Sequence, residues 1–318
     1  MTARFETLLR TAPAILADGG LETRLIFEDR LDLPEFAAFL PLFRDGERHV
    51  LARIYGEYLD IAARHGLPIQ IGTPTWRAHR DCLARLGFAA PGDVARVNAE
   101  AVRLLKQLRA ERGLEDSAMI AGVIGPRGDG YDAAQAPDVA TAAAYHGEQA
   151  EILAGLGVDL LYAPTFAGAA ELEGVARAMA ATGLPYVLAP VVNTDGTLRD
   201  GTPYAAFIDR LDATLAPAPL HYMVGCTHPT RFAAAERAAP ALGAHRGRLA
   251  GLKANASTLP PEALNDLDRL EEGQPEAFAE AMMEVRRDYR LRILGGCCGT
   301  GRAHMEALAG ALRAALPK

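Results

Sequence analysis

The sequence lacks long hydrophobic runs, a surplus of basic residues and a high aromatic content. Aromatic residues make up 6% of the 318, and 33 Lys and Arg stand against 40 Asp and Glu, a formal net charge of -7. We therefore expect neither a membrane-spanning helix nor binding to nucleic acid. Charged residues interrupt positions 1–18, so the sequence predicts no signal peptide and a cytoplasmic location.

Cysteine is also scarce, and its placement is unusual. The four cysteines are Cys82, Cys226, Cys297 and Cys298. Neighbouring Cα atoms lie about 3.8 Å apart, closer than the roughly 4.4 Å that a disulfide normally needs, so Cys297 and Cys298 are not expected to pair with each other. Reduced thiols used for metal binding or catalysis are the better interpretation.

Short apolar runs alternate with helical patterns along the chain, and 50% of the residues are hydrophobic. The predicted strands are Ala14–Ala17, Leu67–Ile71, Met119–Val123, Asp159–Tyr162, Tyr186–Ala189, Leu220–Val224, Leu249–Leu252 and Leu291–Leu294. Eight such alternations predict a (β/α)8 TIM barrel, taken as one domain over residues 1–318. A doubly wound open sheet is the alternative, but no G-x-G-x-x-G or Walker motif supports it.

The helices predicted between these strands are Glu47–His65, Asp93–Arg112, Pro137–Leu156, Gly168–Thr182, Thr202–Leu215, Pro229–Ala239, Pro275–Tyr289 and Ala303–Ala315. The segment Asp29–Glu47 shows no clear periodicity and follows the first strand. A loop that covers the substrate and a plain surface excursion are both compatible with it.

The carboxyl ends of barrel strands carry the functional residues in this architecture. Cys226 stands at the end of the sixth strand, and Cys297 and Cys298 stand at the end of the eighth between glycines. Thiolates are soft ligands, and three of them with an open fourth position are typical of a catalytic zinc site. The sequence therefore predicts Zn²⁺ bound by these three cysteines.

The motif Gly295-Gly296-Cys297-Cys298-Gly299-Thr300 resembles the last-strand motif of the zinc-dependent homocysteine S-methyltransferase family. The resemblance extends to Asp18-Gly19 with Thr23, to Gly125-Pro126, to Asp195-Gly196 with Asp200-Gly201-Thr202, and to Cys226-Thr227. It implies a barrel in which zinc also binds the sulfur of the acceptor. The zinc would deprotonate and orient the thiol for attack on the methyl group of an onium-type donor.

The resemblance thus implies a small-molecule thiol and a methyl donor as partners, most simply L-homocysteine giving methionine. It leaves S-methylmethionine, adenosylmethionine and betaine open as donors, and a homo-oligomer is compatible with the sequence. The substrate-binding residues that we predict lie at the ends of four strands: Asp18, Gly19, Thr73 and Asn255. No protein side chain needs to act as the nucleophile.

The sequence departs from the family in the amino-acid pocket. Pro164 stands where the family has Glu after the fourth strand, and Gly225 stands where it has Asn before the cysteine. Lys253-Ala254-Asn255 replaces the usual Tyr-Pro-Asn. Two alternatives therefore stay open: a different thiol acceptor, with Lys253 neutralising a substrate carboxylate, or a non-catalytic metal-binding barrel.

Four more residues are interpreted from their position. Trp76 has a packing role or faces the onium donor, and His228 makes a helix-start hydrogen bond or approaches the metal. His304 is expected to support the cysteines or the packing around them, and Cys82 is expected to be a core thiol.

Overall fold

The computed structural model describes residues 2–317 except 240–244, 246, 261–262 and 265–269, with the side chains of 2–4 also outside the description. Eight parallel strands close into a barrel in the order of the sequence. They are β1 (Ile15–Ala17), β2 (Ile69–Gly72), β3 (Ala118–Val123), β4 (Leu160–Pro164), β5 (Tyr186–Ala189), β6 (His221–Thr227), β7 (Leu249–Ala254) and β8 (Ile293–Gly296). The pairing of β1 with β8 completes the ring, which confirms the predicted (β/α)8 class and excludes the open sheet.

Helices pack against the barrel, most of them on its outside. They are α1 (Thr2–Thr11), α2 (Arg48–His65), α3 (Arg80–Arg85), α4 (Asp93–Glu111), α5 (Val139–Gly155), α6 (Ala169–Ala181), α7 (Tyr204–Thr214), α8 (Pro229–Ala238), α9 (Pro275–Tyr289) and α10 (Arg302–Ala314). Local chemistry sets some of their ends. Asp138 accepts hydrogen bonds from the backbone N–H groups of Ala140 and Thr141 at the start of α5, and Gly66 ends α2 with a φ of 61°.

Two apolar layers follow from the alternation of side chains along each strand. Odd-numbered residues of β1, such as Ile15 and Ala17, point into the barrel with Met119 and Ile293. Even-numbered ones, such as Leu16, join the larger cluster under the helices. Helices α1 and α3 were not predicted from the sequence. None of the helices that the structure describes is long and apolar enough to cross a membrane.

The segment 29–47 is packed against the barrel rather than extended into solvent. It contains two short 3₁₀ turns, Pro34–Phe36 and Leu40–Leu42. Phe39 is fully buried and meets Phe88 edge to face, with the ring centroids 5.6 Å apart. Its one large exposed hydrophobic side chain is Phe36, which lines the cavity described below.

Candidate metal centre and active site

Three sulfur atoms meet at the carboxyl ends of β6 and β8. Cys226 Sγ lies 3.3 Å from Cys297 Sγ and 3.5 Å from Cys298 Sγ, and all three atoms lie within 4.8 Å of one another. In a tetrahedral site with zinc–sulfur bonds of about 2.3 Å, sulfur atoms are separated by roughly 3.8 Å. The donor set and its spacing therefore fit a thiophilic metal ion.

A bulge in β6 aims the first of these sulfurs. The pairing of β6 with β7 shifts register between Gly225 and Thr227, so that Cys226 stands out of the ladder. Its φ is 55°, a left-handed conformation that a residue with a side chain adopts only when its surroundings impose it. Asn255 supplies one such constraint, because its Nδ2 donates to the Cys226 carbonyl across 3.0 Å.

Two backbone hydrogen bonds hold the turn at Cys297 and Cys298 against the end of β7 and the residues that follow it. Cys297 N donates to the Ala254 carbonyl at 2.7 Å, and Ala256 N donates to the Cys298 carbonyl at 3.0 Å. Gly296 is required before the turn, since a Cβ there would lie 2.0 Å from Thr300 Oγ1. Thr300 in turn donates its hydroxyl proton to the Cys297 carbonyl at 2.7 Å.

The hydroxyl of Tyr131, from the loop between β3 and α5, lies 2.9 Å from Cys226 Sγ. Burial and the neighbouring Cys226 hold the pKa of Tyr131 well above its usual value, so the phenol donates and the sulfur accepts. Hydrogen bonds from Cys297 and Cys298, with a further one from Tyr131, hold the pKa of Cys226 well below its usual range. Cys226 is therefore the sulfur best prepared to be a thiolate.

A cavity of about 210 Å³ opens beside the three sulfurs. Of the four predicted substrate-binding residues, Asp18, Gly19 and Thr73 line it, whereas Asn255 lies behind the wall and contacts Cys226 instead. Polar and charged side chains also reach the cavity from several elements. They are Glu22, Gln70, Arg77, Asp129, Tyr131, Tyr162 and Lys253.

An ion pair crosses the cavity floor between β1 and β7. Lys253 Nζ donates to Asp18 Oδ1, and Gly72 N donates to Asp18 Oδ2 at 2.8 Å. The Asp18 and Lys253 side chains are only 9% and 14% exposed. Burial opposes the charge on Lys253, but Asp18, Cys297 and Glu22 together raise its pKa above the usual value. The lysine is therefore a cation inside the cavity.

A second carboxyl group, that of Glu22, lines the cavity beyond the end of β1. Burial raises its pKa to about 7, and the negative neighbours Cys297 and Asp18 add to the effect while Lys253 opposes it. Glu22 forms no ion pair with any residue that the structure describes. It is thus a half-buried acid with no fixed counter-ion.

The remaining wall carries Pro164 and Trp76. The Trp76 indole Nε1 donates to the Pro164 carbonyl at 3.1 Å, and the Arg77 guanidinium lies 4.2 Å from the centroid of the indole ring. Trp76 therefore lines the cavity with its orientation fixed. Glu171, the next carboxylate along the chain from Pro164, is bonded to Arg127 N and His146 instead and does not line the cavity.

The other residues singled out from the sequence lie outside the cavity. His228 caps α8 by accepting from Thr230 N at 3.3 Å, and His304 Nε2 meets the Glu272 carbonyl at 2.7 Å. Cys82 is fully buried in α3. The sequence analysis overlooked Tyr131 and Glu22; the position of Glu22 between Asp18-Gly19 and Thr23 was the signal that could have found it.

Together, the closed barrel and the three cysteines at its carboxyl end define the class: a barrel with a thiol cluster at its mouth that could hold a metal ion. The profile of the homocysteine S-methyltransferase family matches residues 15–312. The chain belongs to this family of methyltransferases, whose substrates are small molecules.

Comparison with solved structures supports the same fold. The metallated form of the homocysteine methyltransferase MmuM from Escherichia coli is 20% identical, with a TM-score of 0.74 over 96% of this chain and 99% of that one. The oxidized form of the same enzyme is 21% identical, with a TM-score of 0.75 over the same shares. No curated protein sequence matches the chain.

Proposed function

We propose that this protein is a zinc-dependent thiol S-methyltransferase that transfers a methyl group from an onium-type donor to L-homocysteine, giving methionine. The observation that carries the proposal is the convergence of Cys226, Cys297 and Cys298 on one point beside the cavity. Zn²⁺ is the proposed metal because three thiolates with an open position suit a catalytic zinc site. Asp18, Gly19 and Thr73 are the proposed substrate-binding residues.

Zinc bound by the three cysteines would supply one piece of chemistry, which is to hold the acceptor sulfur as a thiolate at neutral pH. The protein's own residues supply the rest. Tyr131 donates a hydrogen bond to Cys226 Sγ and so spreads the negative charge of the sulfur cluster. The hydrogen bond with Cys226 raises the pKa of the Cys297 thiol to about 12, and the positive charge of the buried Lys253 ammonium opposes that rise.

Aromatic side chains that line the cavity suit a cationic methyl donor. Trp76 lines the cavity with its ring held by the Pro164 carbonyl, and Tyr131 and Phe36 line it nearby. Aromatic faces attract onium groups by about 0.5–2 kcal/mol. A donor seated there would present its methyl group to the side of the cavity that holds the sulfurs.

The direct test is methyl transfer by the zinc-loaded protein. Homocysteine is offered with S-methylmethionine, adenosylmethionine or betaine, and methionine is measured by mass spectrometry. We expect turnover with at least one donor. Zinc binding without methylation of homocysteine, or of the other small thiols offered in parallel, by any of the three donors would instead support the non-catalytic metal-binding barrel.

A further inference from the structure

The acceptor pocket lacks one carboxylate that the family resemblance leads us to expect, because Pro164 stands in place of a glutamate. Asp18 is the remaining carboxylate on the strand ends, and its two oxygens are already engaged by Lys253 Nζ and Gly72 N. An incoming ammonium group therefore finds no unpaired carboxylate at either position. The chain needs another way to recognise an amino acid.

From this geometry we propose that Glu22 and Lys253 recognise the acceptor thiol as a zwitterionic amino acid, with Glu22 binding its ammonium group and Lys253 its carboxylate. The inference rests on the proposed function and names the recognition chemistry of the same site. It makes Glu22, which follows β1, and Lys253, which lies in β7, the residues that determine acceptor specificity.

Glu22 is the more buried of the two cavity carboxylates that form no ion pair with a described residue. The other, Asp129, is exposed, and its Oδ1 accepts from Tyr131 N at 2.7 Å. Glu22 lines the cavity four residues after Asp18, and no ion pair with a described residue occupies it. It lies close enough to Asp18 and Lys253 for both charges to act on its pKa. Left without a counter-ion, a carboxyl group in such surroundings favours its neutral form. An ammonium group placed beside it reverses that preference and completes a charge-assisted hydrogen bond.

Lys253 is the matching cation. Arg77, the other cation that lines the cavity, donates instead to the carbonyls of Pro126 and Gly128 and lies over the Trp76 ring. The Lys253 ammonium group carries three donors, and the contact that the structure gives it is Asp18 Oδ1. The remaining donors can reach a ligand, because the side chain lines the cavity. Each charge of the zwitterion then has an opposite charge beside it: the ammonium group has Glu22, and the carboxylate has Lys253, which it shares with Asp18.

Two further polar groups point to a polar ligand in the same place. Gln70 and Tyr162 line the cavity, and each is only 2% exposed. Gln70 Oε1 and the Tyr162 hydroxyl are buried, and neither has a hydrogen-bond partner among the described residues. Buried polar atoms normally have partners. The amide oxygen can accept from an ammonium group, and the phenol can donate to a carboxylate.

The test compares four thiols on the zinc-loaded protein: homocysteine, γ-mercaptobutyrate (no ammonium), aminopropanethiol (no carboxylate) and the neutral mercaptopropanol. Binding is followed by the fluorescence of Trp76, the single tryptophan, which lines the cavity. KM for methyl transfer is measured in parallel. The variants are Glu22→Gln, Lys253→Met and Lys253→Arg, with Glu115→Gln as the control, because Glu115 is exposed and lies in the loop between α4 and β3.

Wild-type protein should bind homocysteine most tightly. Hydrogen bonds to charged groups contribute about 1.5–3 kcal/mol. Glu22→Gln should therefore weaken the binding of homocysteine and of aminopropanethiol about 10- to 100-fold, and should leave the binding of γ-mercaptobutyrate unchanged. Lys253→Met should instead weaken the binding of homocysteine and of γ-mercaptobutyrate. Aminopropanethiol should bind this variant at least as tightly as before, because Asp18 is released. Lys253→Arg keeps the charge and should retain carboxylate binding.

Equal losses for all four thiols in both variants would overturn the assignment, as would wild-type preference for γ-mercaptobutyrate over homocysteine. The latter result would favour the different-acceptor alternative. If the wild type methylates mercaptopropanol, the methyl-transfer activity is intact. Either result above would then contradict only the roles of Glu22 and Lys253 in acceptor recognition. If the wild type methylates no thiol, the methyltransferase proposal itself fails.

Discussion

Asn255 Nδ2 donates to the backbone carbonyl of Cys226 across 3.0 Å, and so ties the end of β7 to the bulged cysteine of β6. The cysteine holds a left-handed φ of 55° at that point. A side chain predicted to bind substrate thus contacts the backbone of a candidate metal ligand. Residues that orient metal ligands commonly affect affinity as strongly as a weak ligand does.

Replacing Asn255 by Asp should therefore weaken metal binding while the barrel stays folded. The variant has nearly the same shape but puts an acceptor where the Cys226 carbonyl needs a donor. We expect a roughly 10- to 100-fold loss of zinc affinity, measured by competition with a chromogenic chelator. Unchanged affinity in a folded variant would mean that the bulge is held without this hydrogen bond.

The three clustered cysteines should behave differently from the fourth. Cys226→Ser, Cys297→Ser and Cys298→Ser should each lose stoichiometric zinc and methyl transfer, because a thiolate is removed from the centre. Cys82→Ser is the matched control, since Cys82 is buried in α3. Metal analysis after dialysis gives the result. Full activity in a metal-free Cys298→Ser variant would contradict the proposed mechanism.

Acceptor recognition should depend on pH through Glu22. Burial raises the pKa of Glu22 to about 7, so the carboxylate that pairs with an ammonium group becomes available as the pH rises through that value. The affinity for aminopropanethiol, divided by the affinity for γ-mercaptobutyrate, should increase over the same pH range. The ratio removes the effect of pH on the thiol group, which both compounds carry. Trp76 fluorescence titrations measure it. The ratio should show no such rise in Glu22→Gln.

Stability in acid should depend on His221, which is buried at the start of β6. Burial lowers its pKa from 6.5 to about 3, and neither ring nitrogen bonds a described residue. The unfolded chain therefore binds a proton that the folded one does not. From this group alone the free energy of unfolding should fall by up to about 1.4 kcal/mol per pH unit as the pH drops from 6.5 to 3.

Urea denaturation of His221→Leu at several pH values tests this expectation. The variant should lose less stability than the wild type between neutral and acidic pH. Parallel pH profiles for the two proteins would show that His221 is not responsible for the acid sensitivity.

The barrel could be predicted because its signal is local. Continuous apolar runs such as Tyr186–Ala189 form strands with the bounds expected from the sequence. The end of β6 was less predictable, since the run Leu220–Val224 stops before the bulge. The left-handed φ of Cys226 depends on contacts with β7, which no local pattern encodes.

The clustering of Cys226, Cys297 and Cys298 could also be predicted, because cysteine is rare and the double-cysteine motif is specific. The acceptor pocket could not. Lys253 was recognised as a changed position, and the structure places it in the cavity on Asp18. Glu22 lies in the short helical segment that continues as Arg24–Glu28, and Tyr131 lies in a loop; both are in connections outside the barrel strands, where position in the sequence says little about which side chains meet. Their approach to the cavity is set by how these connections fold over the barrel rim.

The zinc K-edge absorption spectrum of the reduced protein, with and without L-homocysteine, tests the central claim most directly. We expect three sulfur ligands and one light atom in the free protein, and four sulfur ligands once homocysteine is added. A site that keeps three sulfurs at saturating homocysteine would contradict activation of this acceptor by the metal. It would leave the centre formed by Cys226, Cys297 and Cys298 to serve another thiol.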